Sequence, residues 1–451
     1  MGSWWTQPMR DVFARRKVVV AGAVAAVWPQ HVELLRQLGV EDVLVVATEG
    51  RGAGPIADAP TVIVEPPDGL TMMERVRHGT AVLRDPPDEI LDAVERFDPH
   101  GDAIVVGSFL NEAPLLAGRP FLAHRRPEWV ALEDKVVVDS FWDRAGVERQ
   151  PVHIAALDAA ADTARSLDRG AGTVWAADAR EGFHGGGTGT RWVTDAAGEA
   201  RARQLFEDLC DRVRIMPFVE GVPCSIHGIV LPDGVAVLRP VEMVVLRRGN
   251  EFVFAGCATF WDPPEAIREQ MREVARRVGK QLVRDVDFRG CFTVDGIVAD
   301  DGFWPTELNP RFGGGVMTIA RASGIPLVVL NDLIVGGHGI GRDAASVESD
   351  LLAAADERRG GGTWVGGLDR GIDTVERNVC MVDGAWTWAP PKRTGDGEVV
   401  AGEGFVRCIF EPASVAVGPP TAGLAAAFWQ FADAELGTDI GSLTAAHDPF
   451  G

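Results

Sequence analysis

The stretch 291–315 restricts the fold of this chain most strongly, because it is typical of two β-strands joined by a tight turn. We expect a loop of three residues that ends on Gly302 in the left-handed conformation. In that register Asp295 lies opposite Glu307. Because side chains alternate between the two faces of a strand, Asn309 then shares a face with both carboxylates.

Two carboxylates and an amide oxygen on one face form a ligand set of hard oxygen atoms. Such a set suits Mg²⁺, or Mn²⁺, that enters with a nucleoside triphosphate, because phosphate oxygens and water complete the coordination. Arg311 follows the second strand and would carry its guanidinium fork to the place of a phosphoryl or carboxylate group. A plain hairpin with charged rims is the alternative, since acidic residues two positions apart are common.

Charge and composition exclude several classes of protein. The chain has 451 residues, enough for two or three domains, and a net charge of −21. This charge argues against a nucleic-acid partner, because a phosphate backbone binds to a basic face. No run of about 18 apolar residues is present and the N-terminus lacks a secretion pattern, so we expect no membrane partner. The six cysteines form no Cys-x-x-Cys pair, which favours reduced thiols in a cytoplasmic protein.

The N-terminal part of the chain is typical of a parallel sheet. Short apolar strands alternate with helices, the strands at 17–22, 42–47, 61–64 and 103–106 and the helices near 29–39 and 85–97. This alternation predicts a doubly wound parallel sheet. A dinucleotide site would need several glycines after the first strand, where only Gly22 stands.

Two further features have the residue types of a phosphate site. Lys135 stands near the start of a predicted helix that ends at Gly146, and a solvated surface lysine is the alternative. The loop 181–190 holds five glycines within eight positions, which frees backbone N–H groups to contact phosphate oxygens. A flexible linker is the alternative for this loop.

The remaining candidate is Arg239, which stands at the end of a predicted strand before Pro240. It is the best candidate for holding a substrate carboxylate, with an ordinary surface charge as the alternative. After residue 340 the chain is predicted to form a linker at 358–362, short strands and a final helix near 421–435. No constellation in this part can be assigned to chemistry.

The lysine, the glycine loop, the segment 215–221 and the hairpin follow one another in an order and spacing that resemble the ATP-grasp superfamily, whose members activate carboxylates as acyl phosphates. The resemblance covers about residues 125–335. It implies that Asp295 and Glu307 bind Mg²⁺, that Glu307 bridges two ions and that Asn309 completes the ligand set.

The resemblance also implies how ATP is held. Its phosphates would be contacted by a lysine and three glycines, namely Lys135, Gly185, Gly186 and Gly187. Its adenine would be held by backbone groups of a hinge formed by Met216, Pro217, Phe218, Val219 and Glu220. Many members bind the ribose through a glutamate where Pro223 stands here, and Glu220 is its candidate substitute.

This chain departs from the superfamily at a second position. Many members carry a lysine on the strand before the glycine loop, where Ala176 or Ala177 stands here. Arg180 and Arg191 flank the loop and are the candidates for replacing that phosphate contact.

The implied architecture is α/β throughout. A doubly wound parallel-sheet domain (1–124) would precede an ATP-grasp core (125–340), which comprises a mobile lid (about 152–215) and a metal-binding subdomain. A small C-terminal α/β region (341–451) would follow.

The segments 175–178, 183–187 and 259–264 resemble the peptide ligases related to the pheganomycin-biosynthesis enzyme. This resemblance implies an ADP-forming carboxylate–amine ligase of specialised metabolism, with amino-acid or peptide substrates and with Arg311 and Arg239 as catalytic residues. Two alternatives stay open, a nucleotide-binding protein without ligase activity and an acid–thiol ligase. The oligomeric state stays open too, with a homodimer as one option.

Overall fold

The computed structural model describes residues 3–52, 54–180, 185, 187–368, 371–391, 394–402 and 404–451. The chain divides into two compact units. Unit 1 comprises Met1–Trp129, Leu231–Asp233 and Pro326–Ser346, and unit 2 comprises Val130–Val230, Gly234–Ile325 and Val347–Gly451. Across the described ranges, no helix combines the length and the apolar character that a membrane crossing needs.

Unit 1 is built on a parallel sheet with the strand order β3-β2-β1-β4. Its elements are α1 (Thr6–Phe13), β1 (Lys17–Ala21), α2 (Pro29–Leu38), β2 (Asp42–Ala47), β3 (Thr61–Ile63), α3 (Met72–Arg84), α4 (Asp88–Phe97), β4 (Ile104–Gly107), β5 (Leu115–Leu116), β6 (Arg119–Pro120) and α11 (Leu327–Val335). The apolar strands β1 and β2 are almost wholly buried. The predicted doubly wound parallel sheet is therefore confirmed.

The carboxyl edge of this sheet is covered by α3. Doubly wound domains usually bind ligands there, where the strand order reverses between β1 and β4. The helix begins with a capping box between Thr71 and Glu74, and its Leu83 packs against Gly22 at the end of β1. The Leu83 side chain therefore lies beside the end of β1.

In unit 2, α6 (Val138–Ala145) leads into an antiparallel sheet with the order β7-β10-β8-β9. The elements of this subdomain are β7 (His153–Ala156), α7 (Ala160–Leu167), β8 (Thr173–Ala177), β9 (Thr190–Val193), α8 (Ala196–Leu209) and β10 (Arg212–Pro217). Trp175, Phe206 and Ile215 are fully buried in its own hydrophobic core. The predicted mobile lid, at about 152–215, stays a proposal.

The rest of unit 2 is dominated by one large antiparallel sheet with the order β16-β15-β11-β13-β14-β17-β21-β20-β18-β19. Its strands are β11 (Val222–Leu231), β12 (Gly234–Val237), which pairs with β11, β13 (Val241–Arg248), β14 (Glu251–Ala258), β15 (Gly290–Ala299), β16 (Gly302–Asn309), β17 (Gly361–Gly366), β18 (Val375–Val382), β19 (Ala385–Trp388), β20 (Gly397–Gly402) and β21 (Phe405–Phe410). The helices are α9 (Glu265–Val286), α10 (Gly314–Ser323) and α13 (Ala422–Leu436), while α5 (Pro127–Val130) and α12 (Ala344–Glu357) contain residues of both units. The C-terminal strands thus continue the sheet that carries the hairpin. The predicted boundaries at 124 and 340 stay proposals.

Two local predictions were wrong. The hairpin loop has two residues rather than three, because Ala299 pairs directly with Gly302, the first residue of β16. The helix expected to open near Lys135 begins at Val138, so the lysine lies in a turn before α6. Gly146 caps α6 in the left-handed conformation, as the sequence indicates.

Candidate active site

The hairpin formed by β15 and β16 carries the predicted acidic pair. Asp295 lies opposite Glu307, and Thr293 lies opposite Asn309. A register shift between Asp295 and Gly296 compensates for the shorter loop. The predicted register around the two carboxylates is therefore confirmed, although a bulge produces it.

A third strand, β11, extends this polar face. Ser225 lies opposite Asp295 and His227 lies opposite Thr293. The Ser225 hydroxyl donates to Asp295 Oδ1, and His227 Nδ1 lies 2.9 Å from Thr293 Oγ1. The sequence motifs indicate neither residue. The sequence signal that could identify them is a polar pair two positions apart within the otherwise apolar strand β11.

Hydrogen bonds connect the polar face into one chain. Asn309 Nδ2 donates to Asp295 Oδ2 at 2.8 Å, and Asn309 Oδ1 accepts from Arg311 Nη2 at 3.0 Å. Arg311 Nε in turn forms an ion pair with Glu133 Oε1 at 2.9 Å. Arg311 therefore lies beside the proposed metal ligands, as expected. Glu133 is thus a neighbour of the cluster, which the sequence indicates only by its position two residues before the lysine.

Lys135 reaches the other carboxylate of the hairpin. Its Nζ lies 3.0 Å from Glu307 Oε2, and its side chain is only 13% exposed. The expected alternative, a solvated surface lysine, does not fit this burial. Lys135, Glu307, Asp295 and Asn309 therefore form one cluster.

The electrostatics of this cluster fit a divalent cation. Burial, followed by the charge of Glu307, raises the pKa of Asp295 above its usual range. A cation between the two carboxylates would relieve that repulsion. Within the described part of the chain, no group of three His, Cys, Asp or Glu side chains forms a metal site by itself. Two carboxylates and an amide thus suit Mg²⁺ only when other oxygen ligands join them.

The N-terminus of α10 lies against the same polar face. A side chain at Gly315 would collide with the His227 ring, and a Cβ at Gly313 would lie 2.8 Å from Thr293 Oγ1. The glycines therefore permit a close approach that bulkier residues would prevent. Free backbone N–H groups at such a helix end favour negative charge.

The predicted adenine hinge lies at the end of β10. Met216 and Pro217 complete the strand, and the backbone N–H of Phe218 donates to Gly172 O at 3.0 Å. The Phe218 ring stacks on Trp192, with the ring centroids 4.1 Å apart. The end of β10 thus contacts residues of the same small sheet, β7-β10-β8-β9. Its contact with adenine stays a prediction.

Val219 and Glu220 are the last two residues of the predicted hinge, shortly before β11 begins at Val222. Both carboxylate oxygens of Glu220 accept from Arg247, at 2.9 and 2.6 Å. The backbone N–H of His447 also donates to Glu220, at 2.9 Å. Arg247 lowers the pKa of this carboxyl against the opposing effect of burial. A ribose would therefore have to compete with Arg247 for Glu220.

Part of the glycine loop is described. Gly185 O accepts from the backbone N–H and the hydroxyl of Thr188, at 3.2 and 2.9 Å. Gly187 has a φ of +82°, and a Cβ there would lie 2.7 Å from Phe252 O. Gly186 and residues 181–184 lie outside the described residues. The phosphate role of this loop stays a prediction.

The two arginines beside the loop contact other groups. Arg180 Nη1 pairs with Asp211 at 2.8 Å. Arg191 Nη1 donates to the carbonyl oxygens of Thr188 and Thr190, at 3.1 and 2.7 Å. Both guanidinium groups are thus held by protein oxygens.

Arg239 belongs to a different cluster. It forms ion pairs with Asp262 at 3.3 Å and with Asp356 at 2.8 Å, and its side chain is 9% exposed. Among the described contacts, none joins it to the hairpin residues. The structure therefore does not bring Arg239 together with Arg311, and a role in substrate binding stays a prediction.

Residues 184–315 match a family model described as "ATP-grasp domain". The carbamoyl phosphate synthase large chain of Agathobacter rectalis is 30% identical over 108 residues, which are 24% of this chain and 10% of that protein. The chain thus covers a tenth of the length of this curated relative.

Three solved structures share the fold. The biotin carboxylase domain of Hydrogenobacter thermophilus 2-oxoglutarate carboxylase, in complex with MgADP, ADP and bicarbonate, is 16% identical with a TM-score of 0.56, over 88% of this chain and 86% of that one. Campylobacter jejuni biotin carboxylase is 14% identical with a TM-score of 0.56, over 96% and 92%. Aspergillus clavatus carboxyaminoimidazole ribonucleotide synthase, in complex with ATP, is 12% identical with a TM-score of 0.51, over 88% and 94%. Residues 184–315 therefore match an ATP-grasp domain, and the chain shares the fold of these three solved structures.

Proposed function

We propose that this protein is an ATP-dependent, ADP-forming ligase that joins a carboxylate to an amine. The observation that carries the proposal is the cluster on the hairpin, where Lys135 contacts Glu307 beside Asp295. A buried acidic pair with an adjacent lysine is a suitable environment for the phosphates of Mg-ATP. The complexes of the structural neighbours with MgADP and ATP support this interpretation.

The proposed reaction has two steps. A carboxylate oxygen of the first substrate attacks the γ-phosphorus of ATP, the bond to the β–γ bridging oxygen breaks, and ADP leaves. The amine of the second substrate then attacks the carbonyl carbon of the acyl phosphate and loses a proton, and inorganic phosphate leaves. Mg²⁺ or Mn²⁺, when bound, would neutralise charge on the phosphate oxygens.

The side chains of the cluster have separate roles in this proposal. Lys135 binds phosphate oxygens, while Asp295, Glu307 and Asn309 would hold Mg²⁺ or Mn²⁺. Arg311, which is fixed by its ion pair with Glu133, stabilises the oxyanion that forms when the amine attacks. A closed lid would protect the acyl phosphate from water.

For the substrates, we infer an amino acid as the acid and an amino acid or peptide as the amine. The resemblance to peptide ligases related to the pheganomycin enzyme supports this choice, and Arg239 is the proposed carboxylate ligand. The cytoplasmic location and the homodimer stay predictions. The second candidate is a nucleotide-binding protein without ligase activity, which the alanines at 176 and 177 and Pro223 favour because they stand where many superfamily members carry a lysine and a ribose-binding glutamate.

Product analysis would separate these functions. Purified protein is incubated with ATP, Mg²⁺ and a pool of amino acids, with and without a thiol such as coenzyme A. ADP, phosphate and a new amide support the ligase, whereas a thioester supports the acid–thiol ligase. ATP binding without turnover of any acid would contradict the proposal and favour the second candidate.

Replacing Lys135 with alanine is expected to raise the KM for ATP about tenfold or more, with a smaller decrease in kcat. The lysine holds phosphate charge in both the ground state and the transition state, which is uniform binding. Steady-state kinetics at varied ATP would measure both constants. Lys280→Ala removes an exposed lysine on α9 and serves as the control. An unchanged KM would show that Lys135 pairs with Glu307 but does not contact ATP.

Replacing Ser225 with alanine is expected to weaken metal binding by about tenfold to a hundredfold, because its hydroxyl orients Asp295. Mn²⁺ is titrated into the complex with a non-hydrolysable ATP analogue and followed by electron paramagnetic resonance. Ser140→Ala, at an exposed position of α6, is the matched control. Equal Mn²⁺ affinities in the two variants would contradict the positioning role.

A further inference from the structure

Sheet register identifies a cation that could replace the missing lysine on β8. Ala176 of β8 pairs with Arg214 of β10. Side chains that lie directly opposite each other on neighbouring strands share a face, with Cβ atoms about 5 Å apart. The long side chain of Arg214 therefore extends over the face on which a lysine at position 176 would lie.

The Arg214 guanidinium is held at one edge and only weakly contacted at the other. Nε and Nη2 donate to the two carboxylate oxygens of Asp139, at 2.8 and 2.7 Å. Nη1 makes longer contacts, 3.6 Å to Met216 Sδ and 3.4 Å to Thr306 O. Asp139 thus fixes the orientation of the group, and Nη1 retains most of its capacity to donate.

The neighbours of Nη1 belong to the elements proposed to hold the nucleotide. Met216 lies in the hinge, and Thr306 directly precedes Glu307. The Arg214 side chain is 2% exposed, so a ligand reaches Nη1 only if a covering group moves. Met216 is partly exposed, and its thioether is flexible and a weak acceptor, so a phosphate oxygen would displace it at low cost.

We propose that Arg214 binds a β- or γ-phosphate oxygen of ATP in place of the lysine that β8 lacks. The inference rests on the proposed function for the presence of ATP. The contacts of the two flanking arginines support the choice of Arg214. Arg180 pairs with Asp211 and Arg191 donates to carbonyl oxygens of the loop, so both guanidinium groups are directed to protein atoms. A charge-assisted contact of this kind contributes about tenfold to a hundredfold in affinity.

The test compares two ligands in four proteins: wild type, Arg214→Met, the swap Ala176→Lys/Arg214→Met, and Arg180→Ala/Arg191→Ala. A non-hydrolysable ATP analogue and AMP are each titrated in the presence of Mg²⁺, and thermal unfolding verifies the fold. Methionine preserves most of the side-chain length. In this variant Asp139 still has a cationic partner, because it also forms an ion pair with Arg149 at 3.0 Å. The swap returns a cation to the same face from the opposite strand.

Arg214→Met is expected to weaken the ATP analogue by about tenfold to a hundredfold and AMP by less than about threefold. The swap should recover most of the lost affinity, and Arg180→Ala/Arg191→Ala should bind like the wild type. If Arg214→Met does not fold, Arg214→Gln, which can still donate to Asp139 but carries no charge, takes its place: a loss of affinity for the ATP analogue alone supports the proposal, and wild-type affinity overturns it. Equal losses for both ligands would also overturn it, as would an ATP analogue that binds Arg214→Met normally. Failure of the ligase proposal is a separate result, since it appears as ATP binding without product.

Discussion

Glu307→Gln is expected to abolish ATP-dependent product formation while the chain stays folded. Glu307 faces Asp295 across the hairpin and contacts Lys135 at 3.0 Å. Glutamine preserves the shape of the side chain but removes the negative charge with which Glu307 would bind a metal. Loss of such a ligand should remove several kcal/mol of transition-state stabilisation, so we expect less than about a tenth of the wild-type rate.

Three measurements on Glu307→Gln would distinguish chemistry from folding. ADP release gives the rate, Mn²⁺ titration gives metal affinity, and thermal unfolding reports the fold. The matched control is Glu376→Gln, which changes an exposed glutamate on β18. A variant that retains more than about a tenth of the wild-type rate would show that Glu307 is not a bridging metal ligand.

Asp139→Asn is expected to lower the free energy of unfolding by about 3–5 kcal/mol. Asp139 accepts hydrogen bonds from Nε and Nη2 of the buried Arg214, at 2.8 and 2.7 Å. It also forms an ion pair with Arg149 at 3.0 Å. Asparagine can accept only through one oxygen and carries no charge. The Arg214 guanidinium would then remain buried without a carboxylate.

Urea unfolding followed by circular dichroism would measure this loss. Asp143→Asn is the matched control, because Asp143 lies on the same helix and also pairs with Arg149, but its side chain is 65% exposed. The control should change stability by less than about 0.5 kcal/mol. Equal, small effects of both substitutions would mean that water reaches Arg214 when its partner is lost.

The sequence predicted the acidic pair correctly but the turn incorrectly. Alternation of side chains placed Asp295 opposite Glu307, and burial of one face restricts the register to such pairings. The alternation of side chains does not predict the length of the loop. A two-residue loop after Ala299 and a register shift near Gly296 give the same pairing as a three-residue loop without a shift.

Of all features of the candidate site, contacts between residues far apart in the sequence were the hardest to predict. Ser225 and Asp295 are 70 positions apart, and Asp139 and Arg214 are 75 apart. Motif spacing indicates which residues follow one another, whereas these pairs depend on strand neighbours that only the folded sheet defines. Arg247 of β13 shows the same effect, because its partner Glu220 in the hinge lies 27 positions earlier in the chain.

The continuous large sheet has a consequence for any attempt to shorten the chain. β14 pairs with β17 through residues 256–258 and 361–363, and the fully buried Glu242 accepts hydrogen bonds from Thr421 and Ala422 at the start of α13. A chain that stops near residue 340 would expose one edge of β14 and leave a buried carboxylate without these donors. Open strand edges pair readily with other chains. Such a truncated protein is therefore expected to aggregate rather than to yield an isolated nucleotide-binding fragment.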